Sequence, residues 1–132
     1  MRTLVTIFSA IIMLVTFSFA GPKVVDTEIV NANIIKGLTH ANVGVVESSI
    51  RIAILMKIEY PKADYSDVID ELENLVMHGE NRNIRIKALI ATDYLNNFEQ
   101  YKWLKDSKYS EDDKIFDAYI NQMNFYRVAE KN

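Results

Sequence analysis

The chain has no cysteine among its 132 residues. That absence excludes disulfides, thiolate metal sites, thiol nucleophiles and dithiol redox chemistry. Glycine and proline are scarce, at four and two, so long irregular linkers and Gly-rich phosphate loops have little to be made from. No segment alternates apolar and polar residues with a period of two, so nothing predicts a β-sheet. Serine nucleophile elbows and paired-histidine zinc helices are also missing. Neither sign of charge dominates. Fifteen Lys and Arg against eighteen Asp and Glu give a net charge of -3, and no basic stripe offers itself to nucleic acid.

What is present begins with one long apolar run. Arg2 is the only charge before Lys23, and Leu4 to Ala20 are apolar or small hydroxyl residues almost throughout. Ser18-Phe19-Ala20 then matches the small-x-small pattern of a signal peptidase site. Charged start, apolar middle and small-residue end are the three parts of a secretory signal. The expectation is a signal peptide over residues 1–20, cleaved between Ala20 and Gly21. A retained membrane anchor is the alternative, since the run is about long enough to span a thin bilayer. Cleavage places the remainder, residues 21–132, in the periplasm or outside the cell. No cysteine follows the run, so a lipid-anchored form is excluded. Removing these twenty residues takes away Arg2 and moves the net charge from -3 to -4.

The remaining apolar residues recur at helical spacing, which predicts an all-α domain. Val25, Ile29, Ala32 and Ile35 mark a first helix ending near Gly37. A second runs from about Val43 to Ile58 and stops before Pro61. Asp64 opens a third, with Asp67 three residues on in a capping-box-like pattern. Its stripe is Tyr65, Val68, Ile69, Leu72, Leu75 and Val76, and Gly79 suits a left-handed C-cap. Asn81 caps a fourth helix from about Arg82 to Asn97. Ser110 opens a last one carrying Ile115, Phe116, Tyr119, Ile120 and Met123.

The second and fourth helices correspond at an offset of 39: Val45, Ser49, Ile52 and Met56 fall on Ile84, Ala88, Ala91 and Leu95. Spacings of four, three and four put each set on one face. Both sets carry a small residue, Ser49 or Ala88, where backbones can approach closely. Val46, Ile50 and Ile54 widen the stripe of the second helix, and Ile86 and Ile90 that of the fourth. Such helices are expected to be sandwiched between neighbours. The unit is helix, turn, helix, and it occurs twice, over about 24–58 and 64–98, with a C-terminal cap over about 110–127. Paired-helix repeats of this period are the mark of a helical solenoid.

Asn83-Ile84-Arg85-Ile86-Lys87-Ala88-Leu89 resembles the second helix of a HEAT repeat, of the ARM/HEAT superfamily. Gly44-Val45-Val46-Glu47-Ser48-Ser49-Ile50 is similar, with Val46 where a basic residue is usual. The resemblance covers roughly Ile29 to Phe98, and the whole is also similar to small exported bacterial helical proteins. It implies a short right-handed α-solenoid that binds protein partners on a curved surface, with no shared catalytic residues. The expectation is therefore a non-enzymatic binding or scaffold module that uses no cofactor. The alternatives are an envelope enzyme or small-ligand binder with a groove between helices, and a homo-oligomeric structural protein closed through an uncapped repeat face.

Candidate sites are few. His40 and His78 occupy matching turns, near Glu80. Without a His-x-x-x-His or Glu-x-x-His spacing they read as residues meeting free carbonyls at helix ends rather than as metal ligands. Asp106, Glu111, Asp112, Asp113 and Asp117 lack the alternation and turning glycine of a calcium loop. Arg51 and Arg85 read as partners of neighbouring acids. Nine aromatic residues fall between Tyr94 and Tyr126, and most are expected in the core. Tyr101 and Trp103 lie in the polar connector from Gln100 to Lys108, where exposure would make them a partner-contact patch.

Overall fold

A computed structural model of the chain describes residues 25–105 and 114–129. The leader with its Ala20–Gly21 junction, and the expected opening of the last helix at Ser110, lie outside the described residues. Within them every regular element is helical and there is no strand. Four α-helices follow in order: α1 (Thr27–Leu38), α2 (Val43–Glu59), α3 (Ser66–His78) and α4 (Arg82–Asn96). A 3₁₀ helix (Phe98–Lys105) and α5 (Lys114–Ala129) complete the described chain. The polar connector from Gln100 is helical as far as Lys105.

Three of the starts are capped by side chains. Asp26 Oδ1 accepts from the amides of Glu28 and Ile29 at 3.0 and 3.3 Å. Asn42 Oδ1 does the same for Gly44 and Val45, and Asn81 Oδ1 for Ile84 at 2.8 Å. Each satisfies donors that the first turn leaves without partners. Helix α3 departs from expectation. It begins at Ser66, with Tyr65 as an N-cap that makes no side-chain cap bond. The cause is Tyr65 itself, which is 3 % exposed. Its hydroxyl lies 2.8 and 3.0 Å from the carbonyl oxygens of Met56 and Tyr60, at the frayed end of α2. Anchoring this ring holds residue 65 out of helical geometry. Gly79 also departs: its φ of -56° and ψ of 137° are extended, not left-handed. The glycine is needed for room. A Cβ there would sit 2.6 Å from the Leu75 carbonyl oxygen and 3.3 Å from Ile84 Cγ2.

Helices α1 and α2 pack as one hairpin, and α3 and α4 as another. Like helices then meet like: α1 lies against α3, and α2 against α4. Early residues of α1 pair with the start of α3, as Asn31 Nδ2 donates to the Asp64 carbonyl at 2.6 Å. Glu47 near the start of α2 takes Lys87 and Asn83 of α4 at 3.3 and 3.0 Å. Toward the other end Lys57 Nζ stands 5.8 Å from the Phe98 ring. Like helices therefore run in the same direction.

Between them lies one core containing Leu38, Ile50, Ile54, Val68, Leu72 and Tyr94, all within 1 % of complete burial. Each such side chain contributes roughly 1.5–3 kcal/mol on removal from water. The small-residue expectation at Ser49 holds. Its side chain packs where a Cβ on Gly37 would have to stand, which lets α1 and α2 approach closely. The register of burial differs from the expectation. On α4, Ile84, Ala88, Ala91 and Leu95 are buried as anticipated, with Ile90, while Ile86 is exposed. On α2 the buried set is Val46, Ser49, Ile50, Ala53, Ile54 and Ile58, while Val45 and Ile52 are 38 % and 42 % exposed. The N-caps Asn42 and Asn81 keep the offset of 39, but among the described residues the first hairpin has a packed hairpin on one side only, and its inward face is rotated toward α4. On α5, Ile115, Phe116 and Tyr119 are buried and Ile120 and Met123 are exposed.

Candidate functional site

Two clefts open between α1 and α3, one helix from each hairpin. The first, of about 300 Å³, lies where the two interhelical turns meet. Its floor is Leu38, Val46, Leu75 and Ile84, and its polar rim is His40, Glu71, Asn74, His78 and Glu80. The second, of about 330 Å³, lies toward the other end of the same helix pair. Glu28, Asn31, Ala32 and Ile35 of α1 face Asp64, Ser66 and Asp67 across it.

Helical spacing puts the two clefts along one face of the α1–α3 pair, the α1–α3 groove. Along α1 the lining residues are Glu28, Asn31, Ile35 and Leu38, and along α3 they are Asp67, Glu71, Asn74 and His78. Spacings of three and four keep each set on a single face. The charge along this face is of one sign. Glu28, Asp64, Asp67, Glu71 and Glu80 line the clefts, and among the described residues no lysine or arginine does. The stretch from Asp64 to Glu80 holds six acids and no Lys or Arg, whereas α4 begins with Arg82, Arg85 and Lys87.

Hydrogen bonds tune several of these groups. The Asp64 carboxylate accepts the Ser66 amide at 2.9 Å. That bond, with the Ser66 side chain and the nearby Lys57 charge, holds its carboxyl below the usual carboxylate range. Asn31 donates to the Asp64 carbonyl, while its Oδ1 is buried with no hydrogen-bond partner among the described residues. Glu71 Oε1 accepts from Asn74 Nδ2 at 3.1 Å, so the two rim residues brace each other. His40 does not meet free carbonyls as expected. Its Nδ1 accepts the Asn42 amide at 3.0 Å, so the neutral ring carries its proton on Nε2. His78 sits in the last turn of α3. The two imidazoles line the same cleft, but no group of three His, Asp or Glu side chains among the described residues is placed to hold a metal ion.

The aromatic pair separates. Tyr101 is half-buried, its ring stacked 6.0 Å from Tyr94 and tilted against Tyr119 at 5.1 Å. Its hydroxyl donates to Asp93 Oδ2 at 2.8 Å, and the Tyr119 hydroxyl donates to the same oxygen. Asn97 Nδ2 reaches Oδ1 at 2.6 Å. This cluster ties the 3₁₀ helix and α5 to α4, so Tyr101 acts within the fold. Trp103 is 38 % exposed. Arg85 pairs with no acid as its main contact; Nη1 donates to the Gly79 carbonyl at 2.8 Å and fixes the turn beside the first cleft. Arg51 keeps its Nε buried without a hydrogen-bond partner. Asp117 is exposed on α5, and the other acids expected near it lie outside the described residues.

The α1–α3 groove was legible in the sequence only as scattered acids in the third helix. Its signal is the combination of one-signed charge at i, i+4 spacing on α3 with a second helix of the same direction beside it, and that second helix is a tertiary fact. No helix among the described residues is long and apolar enough to cross a membrane. Comparison with protein families, with curated proteins and with solved structures finds no match to the chain.

Proposed function

We propose that this chain is a non-enzymatic binding module of the cell envelope: a short right-handed solenoid of two HEAT-like hairpins, capped by α5, that holds a protein or peptide partner. Export follows from the reading of residues 1–20 as a cleaved signal. The observation that carries the binding reading is the groove between α1 and α3. Its two walls come from different hairpins, so an occupant would contact both units at once. Concave, partly apolar sites with a few placed polar groups are where proteins bind ligands. The polar groups on the groove are carboxylates, amides, two imidazoles and the hydroxyls of Thr39 and Ser66, a set suited to hydrogen-bonding and charge-pairing with an occupant.

A photo-crosslinking amino acid at Asn74, exposed on the groove rim, tests this in cells that export the chain. The same group at Asp117, exposed on α5, is the control. Discrete adducts from position 74 and not from position 117 are expected. Adducts equally from both positions, or from neither, would discard the groove as a binding site.

A further inference from the structure

We infer that the α1–α3 groove takes a basic peptide segment, seating Lys or Arg side chains against Glu28, Asp67 and Glu71. This rests on the binding reading above and names the chemistry of the partner. Three observations meet in it. The groove is a cavity at both ends, about 330 and 300 Å³. Among the described residues the formal charges lining it are all negative, and Arg85 beside the first cleft is turned onto the Gly79 carbonyl. Glu28 and Asp67 are exposed and Glu71 is half-buried, so these acceptors on both walls are within reach of a ligand's donors.

Shape favours a peptide over a compact cation. From Glu28 to Leu38 the α1 wall is about 15 Å long at 1.5 Å per residue. An extended segment of four or five residues spans that length at about 3.3 Å each. Apolar surface from Ala32, Ile35 and Leu75 lies between the carboxylates along the walls. That arrangement suits lysine and arginine, whose aliphatic stems lie on apolar surface while the charged head reaches an acid. Nucleic acid carries the wrong sign for this face. Among the described residues no three-ligand cluster stands here, which favours a peptide over a divalent ion.

The test is fluorescence anisotropy with the full-length protein and a labelled hexapeptide alternating lysine and alanine. The expected result is saturable binding that weakens as salt rises from 0.1 to 0.5 M, because the contacts are exposed and screened. Asp67→Asn with Glu71→Gln should weaken it about fivefold, the worth of two exposed ion pairs. Asp117→Asn, a distant exposed acid, should leave it unchanged. A double reversal, Asp67→Lys with Glu71→Lys, should lose the lysine peptide and gain the matching glutamate peptide, which also shows that the groove is still folded. Absence of saturation, or an equal loss in Asp117→Asn, would overturn the inference. So would spermine displacing the probe at a lower concentration than the unlabelled peptide does, which would assign the groove to polyamines. Crosslinked adducts at position 74 that persist in the Asp67→Asn, Glu71→Gln protein would sink the basic partner and leave the binding module standing.

Discussion

A methyl group added at Gly37 would meet Ser49 Oγ and lie 3.0 Å from Ser49 Cβ. The close approach of α1 and α2 thus rests on two small residues, one on each helix. Ser49 is not idle in the contact, since its hydroxyl donates to the Val45 carbonyl at 2.8 Å within its own helix and so needs no partner across the interface. Overpacking such a contact typically costs about 1–3 kcal/mol. Gly37→Ala should lose that much stability in urea unfolding, and should lose less in a Ser49→Ala background. An equal loss in both backgrounds would mean that the interhelical contact is not the cause. The sequence disclosed Ser49 as a small residue on an apolar face. It did not disclose Gly37 as its partner, because Gly37 read equally well as a helix terminator.

The elements differ in how they are held. Hairpins α1–α2 and α3–α4 bury continuous apolar faces against each other, and a lysine helps to join them. Lys87 is 8 % exposed, pairs with Glu47 across the α2–α4 contact, and stands 5.2 Å from the Phe116 ring. Helix α5 is attached differently, through Ile115 and Phe116, through Tyr119, and through the shared carboxylate of Asp93. Truncating a buried phenylalanine costs about 3–5 kcal/mol. Because a terminal helix can open without the rest, the loss in Phe116→Ala should fall mainly on α5. Hydrogen exchange should show α5 amides losing protection while the middle of α2 and α4 keeps theirs. Uniform loss along the chain would instead make α5 part of one cooperative unit with the hairpins. The expectation of a C-terminal cap was legible from its apolar residues. Which of them point inward was not, since Ile120 and Met123 fit the same stripe and are exposed.

Three phenols spread across the molecule link its stability to alkaline pH. Burial pushes Tyr65, at the junction of the hairpins, up to about 12, with Tyr60 adding to the shift. Burial does the same to Tyr94 in α4, also to about 12. Tyr119 in α5 is pushed higher still by burial, and then by its hydrogen bonds to Asp93 and Tyr101. An unfolded tyrosine ionises near 10. Above that pH the unfolded chain releases protons that the native chain keeps, so the native state loses ground. Stability should therefore be flat in this contribution below about pH 10 and fall between about 10 and 12. Thermal melts at pH 8 and pH 11 read the drop, and Tyr94→Phe should make it smaller. An identical drop in that variant would assign the effect to other groups.

The helical class, the cap at Asn81, the two-hairpin order and the amphipathic stripe of α3 were all readable from the chain alone. Each is set by residues within about one or two turns, so a local pattern carries it. The faces that turn inward were decided by neighbours distant in sequence. Val45 and Ile52 match Ile84 and Ala91 by spacing, yet they are exposed, since among the described residues α2 packs a hairpin on one side while α4 has elements on both. Tyr101 looked exposed among charged residues, until Asp93, Tyr94 and Tyr119 were brought around it. The groove has the same origin: its acids are written in one helix and its depth is made by another. Local sequence sets which helices form, and only their packing sets what those helices hide, share or leave open to a partner.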